Sequence, residues 1–167
     1  MAKVPRPLLT WHDSPGRLSR ADSRYSPEAF FRMKAEYMAG EVGRVALNAH
    51  ERLGGKPLHL WIWGAGRPTR TRAAHLESHG LKIAGYIDVD AKKTGKSVGG
   101  VPVIAPAELP PPGEILVLGY VSSRGARELI RGELARRRYA EGRDSLMCAR
   151  GHTPLDFRRR WLNWTHA

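Results

Sequence analysis

The sequence predicts an α/β fold on a mostly parallel sheet, and three observations carry that expectation. Leu58-His59-Leu60-Trp61-Ile62-Trp63 is an apolar run, Gly64-Ala65-Gly66 turns directly after it, and a second apolar run, residues 83–87, ends on Asp88. Runs that are apolar throughout, without alternation, mark strands covered on both faces, as in a parallel sheet. Strand, glycine turn, helix, strand and acid, in that order, open a nucleotide-binding α/β domain. Glycines let the backbone turn sharply and approach a phosphate, which the first amides of the next helix can hold. The expected domain is Rossmann-like and three-layered, preceded by an irregular arm and a long helix.

Residues 1–25 hold three prolines and many polar side chains and read as the arm. Ser26-Pro27 is a helix start, with Ser as N-cap and Pro in the first turn. Phe30, Phe31, Met33, Lys34, Tyr37, Met38, Val42, Val45, Leu47 and Leu53 give a rough helical stripe to about Arg52. Gly40 and Gly43 are points where this helix can break in two, and Gly54-Gly55-Lys56-Pro57 stops it, so residues 26–55 read as a helical linker.

The nucleotide-binding domain is expected over residues 56–149. Pro68 suits the first turn of the helix after the glycines, which runs to His79. Residues 89–96 form a polar loop, and residues 98–104 a short edge strand because Pro102 lacks a donor. Residues 106–109 read as one helical turn, and Pro110-Pro111-Pro112-Gly113 as a stiff connector. Residues 114–121 are a buried strand, followed by a helix with Ala126, Leu129, Ile130, Leu134 and Ala135 inward and Ser122 or Ser123 as its cap. Arg136-Arg137-Arg138 closes that helix with cations near the negative end of its dipole, a solvated end rather than a binding patch. Residues 145–149 are a last strand. The basic tail, residues 150–167, contains Phe157, Trp161 and Trp164 and suits a docked helix or a partner contact.

At 167 residues the chain is one domain with an extension. Its single cysteine, Cys148, cannot form an internal disulfide, and no apolar stretch approaches the roughly 18 to 20 residues that span a bilayer. With no apolar centre of a signal peptide in the first ten residues, a cytoplasmic protein is expected. The net charge of +12 and the excess of 21 arginines over 7 lysines suit an anionic partner, since guanidinium forks match phosphates. A coding bias toward Arg, Ala, Gly and Pro explains the same skew.

Gly64 and Gly66, with Ala65 between them, fit the turn and close-approach roles, but the third glycine of a dinucleotide fingerprint is missing from the turn that follows. Arg67 and Arg70 either fork a diphosphate or face water. Asp88, 22 residues after Gly66, can accept hydrogen bonds from ribose hydroxyls. Asp88-Val89-Asp90 also spells a DxD, whose carboxylates can hold a divalent cation, but its place after the second strand favours ribose, with Asp90 capping the loop. Arg124 and Gly125 fall at the carboxyl edge of the sheet, Arg124 as a phosphate ligand or as a salt-bridge partner of Glu128. Lys93 and Lys96 read as loop solubilisers that can reach a phosphate.

No catalytic constellation emerges. His75 and His79 read as solvated helix positions, Cys148 as a small buried side chain, and Trp61 and Trp63 as packing against helices. A small NAD-binding oxidoreductase is the enzyme alternative. An interaction module with a vestigial nucleotide site is the other. Nucleic acid ranks last among partners, with no stacking motif or recognition helix in view.

Trp11-His12-Asp13-Ser14-Pro15-Gly16-Arg17-Leu18-Ser19-Arg20, Tyr25-Ser26-Pro27 and Lys34-Ala35 resemble the segment closing the catalytic domain of bacterial family 2 glycosyltransferases. Ile62-Trp63-Gly64-Ala65-Gly66-Arg67, Tyr86-Ile87-Asp88-Val89-Asp90, Gly100-Val101-Pro102-Val103, Tyr120-Val121 and Arg124-Gly125-Ala126-Arg127 resemble the Rossmann-like domain after it. The glycine turn and Asp pair are also similar to the nucleotide-sugar-binding half of sugar O-acyltransferases of the sialic-acid type. That likeness implies that the turn and first Asp hold a uridine nucleotide. Both catalytic domains are missing here. The resemblance thus implies an accessory module binding a nucleotide or UDP-type nucleotide-sugar in cell-surface polysaccharide synthesis, partnered by a glycosyltransferase catalytic domain or by itself.

Overall fold

The computed structural model describes residues 22–23, 26–121 and 125–148. Helix α1 spans Pro27–His50, β1 His59–Trp63, α2 Arg67–Glu77, β2 Ile83–Ile87, β3 Ser97–Val98 and β4 Val101–Ile104. A 3-10 turn at Pro106–Glu108 precedes β5 at Ile115–Gly119, α3 at Ala126–Arg136 and β6 at Ser145–Met147. The six strands form one sheet in the order β3-β4-β2-β1-β5-β6. All neighbours pair in parallel except β3, which runs antiparallel to β4. This is the α/β, Rossmann-like fold that the two apolar runs and the glycine turn predict.

Each face of the sheet is covered by helix. Leu60, Ile62, Leu116 and Leu118 pack with Ala35, Met38 and Val42 of α1 and with Ala73 and Leu76 of α2. On the other face Trp63, Ile87 and Val117 pack with Ile130 and Leu134 of α3 and with Tyr139. Residues of one strand alternate between the two sets, as a pleated strand requires. Against β2, β1 shifts register between Leu60 and Trp61, so that Trp61 stands opposite Gly85. A Cβ on Gly85 would lie 2.4 Å from Cζ3 of Trp61, so the missing side chain is what admits the indole.

Helix α1 starts as expected, with the Ser26 hydroxyl accepting the Ala29 amide at 3.1 Å. It is not broken at Gly40 or Gly43. Each costs about 1 kcal/mol in helix propensity, and burial of Ala35, Met38, Val42, Val45 and Ala49 along one row outweighs that. The stretch expected as a linker therefore forms part of the domain's outer layer. Its apolar stripe divides in two: the sheet takes that row, while Phe30, Met33, Tyr37 and Leu47 are exposed on the other side.

Two further expectations are corrected. Residues 97–104 are a hairpin, with Gly99 and Gly100 both at positive φ in its turn, rather than one edge strand. Pro102 is tolerated because β4 pairs with β2 only through Val103 and Ile104. Leu129 and Ala135 point outward from α3, Leu129 with 76 % of its surface exposed, since the sheet takes the Ile130–Leu134 row one turn apart. The basic end of that helix is a Schellman motif: Arg138 takes φ 63°, its amide donates to the Ala135 carbonyl, and the Tyr139 amide to the Leu134 carbonyl.

Ser122, Ser123 and Arg124, the arm through residue 21, Tyr25 and the tail from residue 149 lie outside the described residues. The described part of α3 begins at Gly125, φ 77°, with no side-chain cap.

Candidate functional site

The strand order reverses between β1 and β5, with β2 and β4 to one side and β6 to the other, and open α/β sheets bind ligands at the carboxyl ends flanking that point. A cleft of about 730 Å³ opens there, floored by Trp63 and bordered by Gly64, Gly66, Asp88, Lys93 and Leu129.

The two glycines serve different ends. Gly64 sits at φ 107°, donates its amide to the Ile87 carbonyl at 2.7 Å, and would place a Cβ 2.7 Å from Cγ2 of Val121. The fold itself needs glycine there. Gly66 is the N-cap of α2 at φ −66° and ψ 151°, and a Cβ on it would meet only Cδ of Pro68 at 3.9 Å. Neither conformation nor packing asks for glycine at 66. What its bare backbone provides is open access from the cleft to the amides of the first turn, the positive end of the helix dipole.

Asp88, 7 % exposed, ends β2 and braces this turn. Its Oδ2 accepts the Ala65 amide at 2.8 Å and the Lys93 ammonium at 3.2 Å, and its Oδ1 accepts the Asp90 amide at 2.9 Å. Burial pushes the carboxyl's pKa up, but the two amides and the Lys93 ammonium outweigh it and hold the acid below its ordinary value. A carboxylate has about four lone-pair positions. Three are filled, leaving one on Oδ1.

Asp90 caps the loop by accepting the Lys92 amide at 3.0 Å. The Lys93 ammonium, 3.2 Å from Asp88 and 3.3 Å from Asp90, occupies the place between the two carboxylates that a cation would take. Among the described residues no three His, Cys, Asp or Glu side chains are grouped to hold a metal ion. Sequence reasoning treated Lys93 as a solubiliser; its spacing of five and three residues from the two acids was the available signal.

The structure does not bring the expected arginines to Asp88. Arg67 borders a shallow groove between α1 and α2 with Glu28, Phe31 and His75. Arg70 is half-buried and acts electrostatically on Tyr86, beneath α2, and is not among the cleft residues. Pro68 and Thr69, between them, face the cleft instead. Gly125 does not line it, whereas Ala126 does. Arg136 and Arg137 do border its far end, both paired with Glu133, which the reading of a solvated helix end did not foresee.

Outside the cleft, His75 is paired with Glu28 across 2.9 Å, tying α2 to α1 rather than facing water. Cys148 is buried, and desolvation pushes its thiol up to about 12 against a small opposing effect of Lys34.

No protein-family model matches this chain, and no curated protein matches it. What the cleft binds has to be read from its own chemistry. Val89, 78 % exposed beside the acid, and Pro106 and Ala107 after β4 supply apolar surface at the border of the cleft. The same cleft holds a carboxylate with one free acceptor position and the N-terminus of α2. No helix among the described residues is long and apolar enough to cross a membrane.

Proposed function

We propose that this chain is an accessory module that binds a nucleotide or nucleotide-sugar and serves glycosyl transfer in cell-surface polysaccharide synthesis. The observation carrying the proposal is Gly66: a glycine that the fold does not need, at the N-terminus of α2, opening onto a cleft next to the free acceptor position of Asp88. The base lies against Val89 and Pro106, a ribose hydroxyl donates to Oδ1 of Asp88, and the diphosphate meets the first amides of α2. The resemblance to the domain following family 2 glycosyltransferase catalytic domains favours UDP and a cytoplasmic setting.

Calorimetric titration with UDP, UDP-glucose, ADP and NAD tests this reading. Saturable binding of a uridine ligand, lost in Gly66→Leu while the chain stays folded, is the expected result. Binding of none at millimolar ligand, or equal binding to Gly66→Leu, rejects the site. Preference for NAD over UDP would move the protein to the oxidoreductase alternative.

A further inference from the structure

On the α1 face of the sheet, where β5 and β6 end, two polar groups are held without the partner that each calls for. Tyr120, directly after β5, is 3 % exposed, and its buried hydroxyl makes no hydrogen bond. Lys34 of α1 is partly buried, and its ammonium lies 6.0 Å from the centroid of the Phe30 ring. Among the described residues no carboxylate pairs with it or acts on it.

The two groups share one neighbourhood. Tyr120 and Cys148 pack in one core cluster with Ala35, the residue after Lys34. Arg72, whose Cζ stands 4.4 Å from the centroid of the Phe31 ring, and Cys148 act electrostatically on both Lys34 and Tyr120. Arg127, in the first turn of α3, acts on Lys34 as well. Both arginines have contacts of their own, and their positive field reaches this place all the same.

That combination is unfavourable as it stands. Burial lowers the pKa of Lys34, and the two guanidinium groups lower it further. Only an ionised Cys148 would oppose them, and burial keeps Cys148 a thiol. A buried hydroxyl with no bond and a desolvated ammonium with no counter-ion each cost free energy. One bound oxyanion remedies both, because the ammonium and the phenol are both donors to it. A phosphate group, with three acceptor oxygens and close to two negative charges, suits donors that converge from two elements in a positive field.

We infer that Lys34 and Tyr120 form a second binding site, which takes a phosphate group between the ammonium of α1 and the hydroxyl at the end of β5. It lies across the sheet from the cleft: Val121, the next residue, lines the cleft and packs with the α3-face cluster, whereas Tyr120 packs with the α1-face cluster. The inference stands independently of what the cleft binds.

Calorimetric titration of the full chain with inorganic phosphate, at an ionic strength held constant with chloride, is the test. A saturable phosphate site is expected, and it persists in Gly66→Leu, which obstructs the N-terminus of α2 rather than this place. Lys34→Met should weaken binding on the order of tenfold or more. Tyr120→Phe should weaken it roughly tenfold, as the loss of a hydrogen bond to a charged group does. Without phosphate the Tyr120→Phe chain should melt no lower than the wild type, because the hydroxyl it loses bonds to nothing. Absence of saturable binding overturns the inference, as does binding lost in Gly66→Leu or left untouched by either of the other two variants. A phosphate-free Tyr120→Phe chain that melts lower overturns it by revealing a partner for the hydroxyl. Phosphate that binds only after Asp13→Asn overturns it too, since an acid of the chain's own arm then fills the place.

Discussion

The carboxylate of Asp88 accepts the amide of Ala65 at 2.8 Å across 23 residues of sequence, so the acid ending β2 holds the glycine turn that follows β1 in shape. A residue chosen from sequence as a ligand for ribose is first a brace for the loop expected to cradle phosphate. Asp88→Ala leaves the Ala65 and Asp90 amides without their acceptor, each at a cost of about 1–3 kcal/mol. Urea denaturation should show a lowered midpoint with an unchanged slope.

The same carboxylate sets an acid limit. Its folded pKa is depressed, so its contribution is present above the unfolded value of about 3.9 and is lost as the pH falls through the lower folded value. Melting temperature should drop on acidification below about pH 4, and the drop should be shallower in Asp88→Asn. An identical acid profile in the variant would remove Asp88 from the explanation.

At the alkaline end the sign reverses. Burial raises Cys148 and Tyr139 to about 12, so the stability each contributes is complete below its ordinary value and is lost as the pH climbs toward 12. The folded chain should therefore resist thiol reagents at pH 8 and label stoichiometrically once unfolded in urea. Cys148→Ala should flatten the stability profile above about pH 9.

Gly85 and Gly64 should be far less tolerant than Gly66. Gly85→Ala drives a methyl into the Trp61 ring, an overpacking worth about 1–3 kcal/mol. Gly64→Ala adds a positive φ to a clash with Val121. Both should lower the melting temperature by several degrees, whereas Gly66→Leu should cost only the loss of a favoured N-cap residue, about 1 kcal/mol or less.

Arg138→Gly should stabilise the protein. Arg138 is the one non-glycine at positive φ among the described residues, in the C′ position of the Schellman motif where glycine is preferred. Relief of a left-handed conformation, worth about 1–2 kcal/mol, should show as a rise in melting temperature. Tyr139→Phe should act oppositely, by removing the hydroxyl that donates to the Pro110 carbonyl at 2.6 Å.

The central strands and the helices that follow them could be read from the sequence because continuous apolar runs and a glycine turn are local signals with strong physical causes. Leu129 and the outer row of α1 were misjudged for a different reason. Amphipathic patterns mark apolar positions without saying which of two rows the sheet will take. His75 found a partner, Glu28, that only the packing of α1 on α2 could supply, whereas the pairing of Lys93 with Asp88 and Asp90 had a local signal in their spacing. Arg67 and Arg70 show the limit most sharply: two residues of one helical turn, both chosen for a phosphate, are rotated away from it while Pro68 and Thr69 face the cleft.

The central position of β1 also dictates an order of assembly. Trp61 pairs with Gly85 on one side and with Val117 on the other, 24 and 56 residues further along. A chain emerging from the ribosome cannot complete its middle strand until β5 has been made. Until then α1 and β1 wait with their apolar rows unmatched, exposed to chaperones or to each other. Loop closure over such separations is slow relative to local structure. Truncation before residue 115 should therefore yield no folded fragment, and the rate of refolding should respond to substitutions in β5 more than to any in the late-added β6.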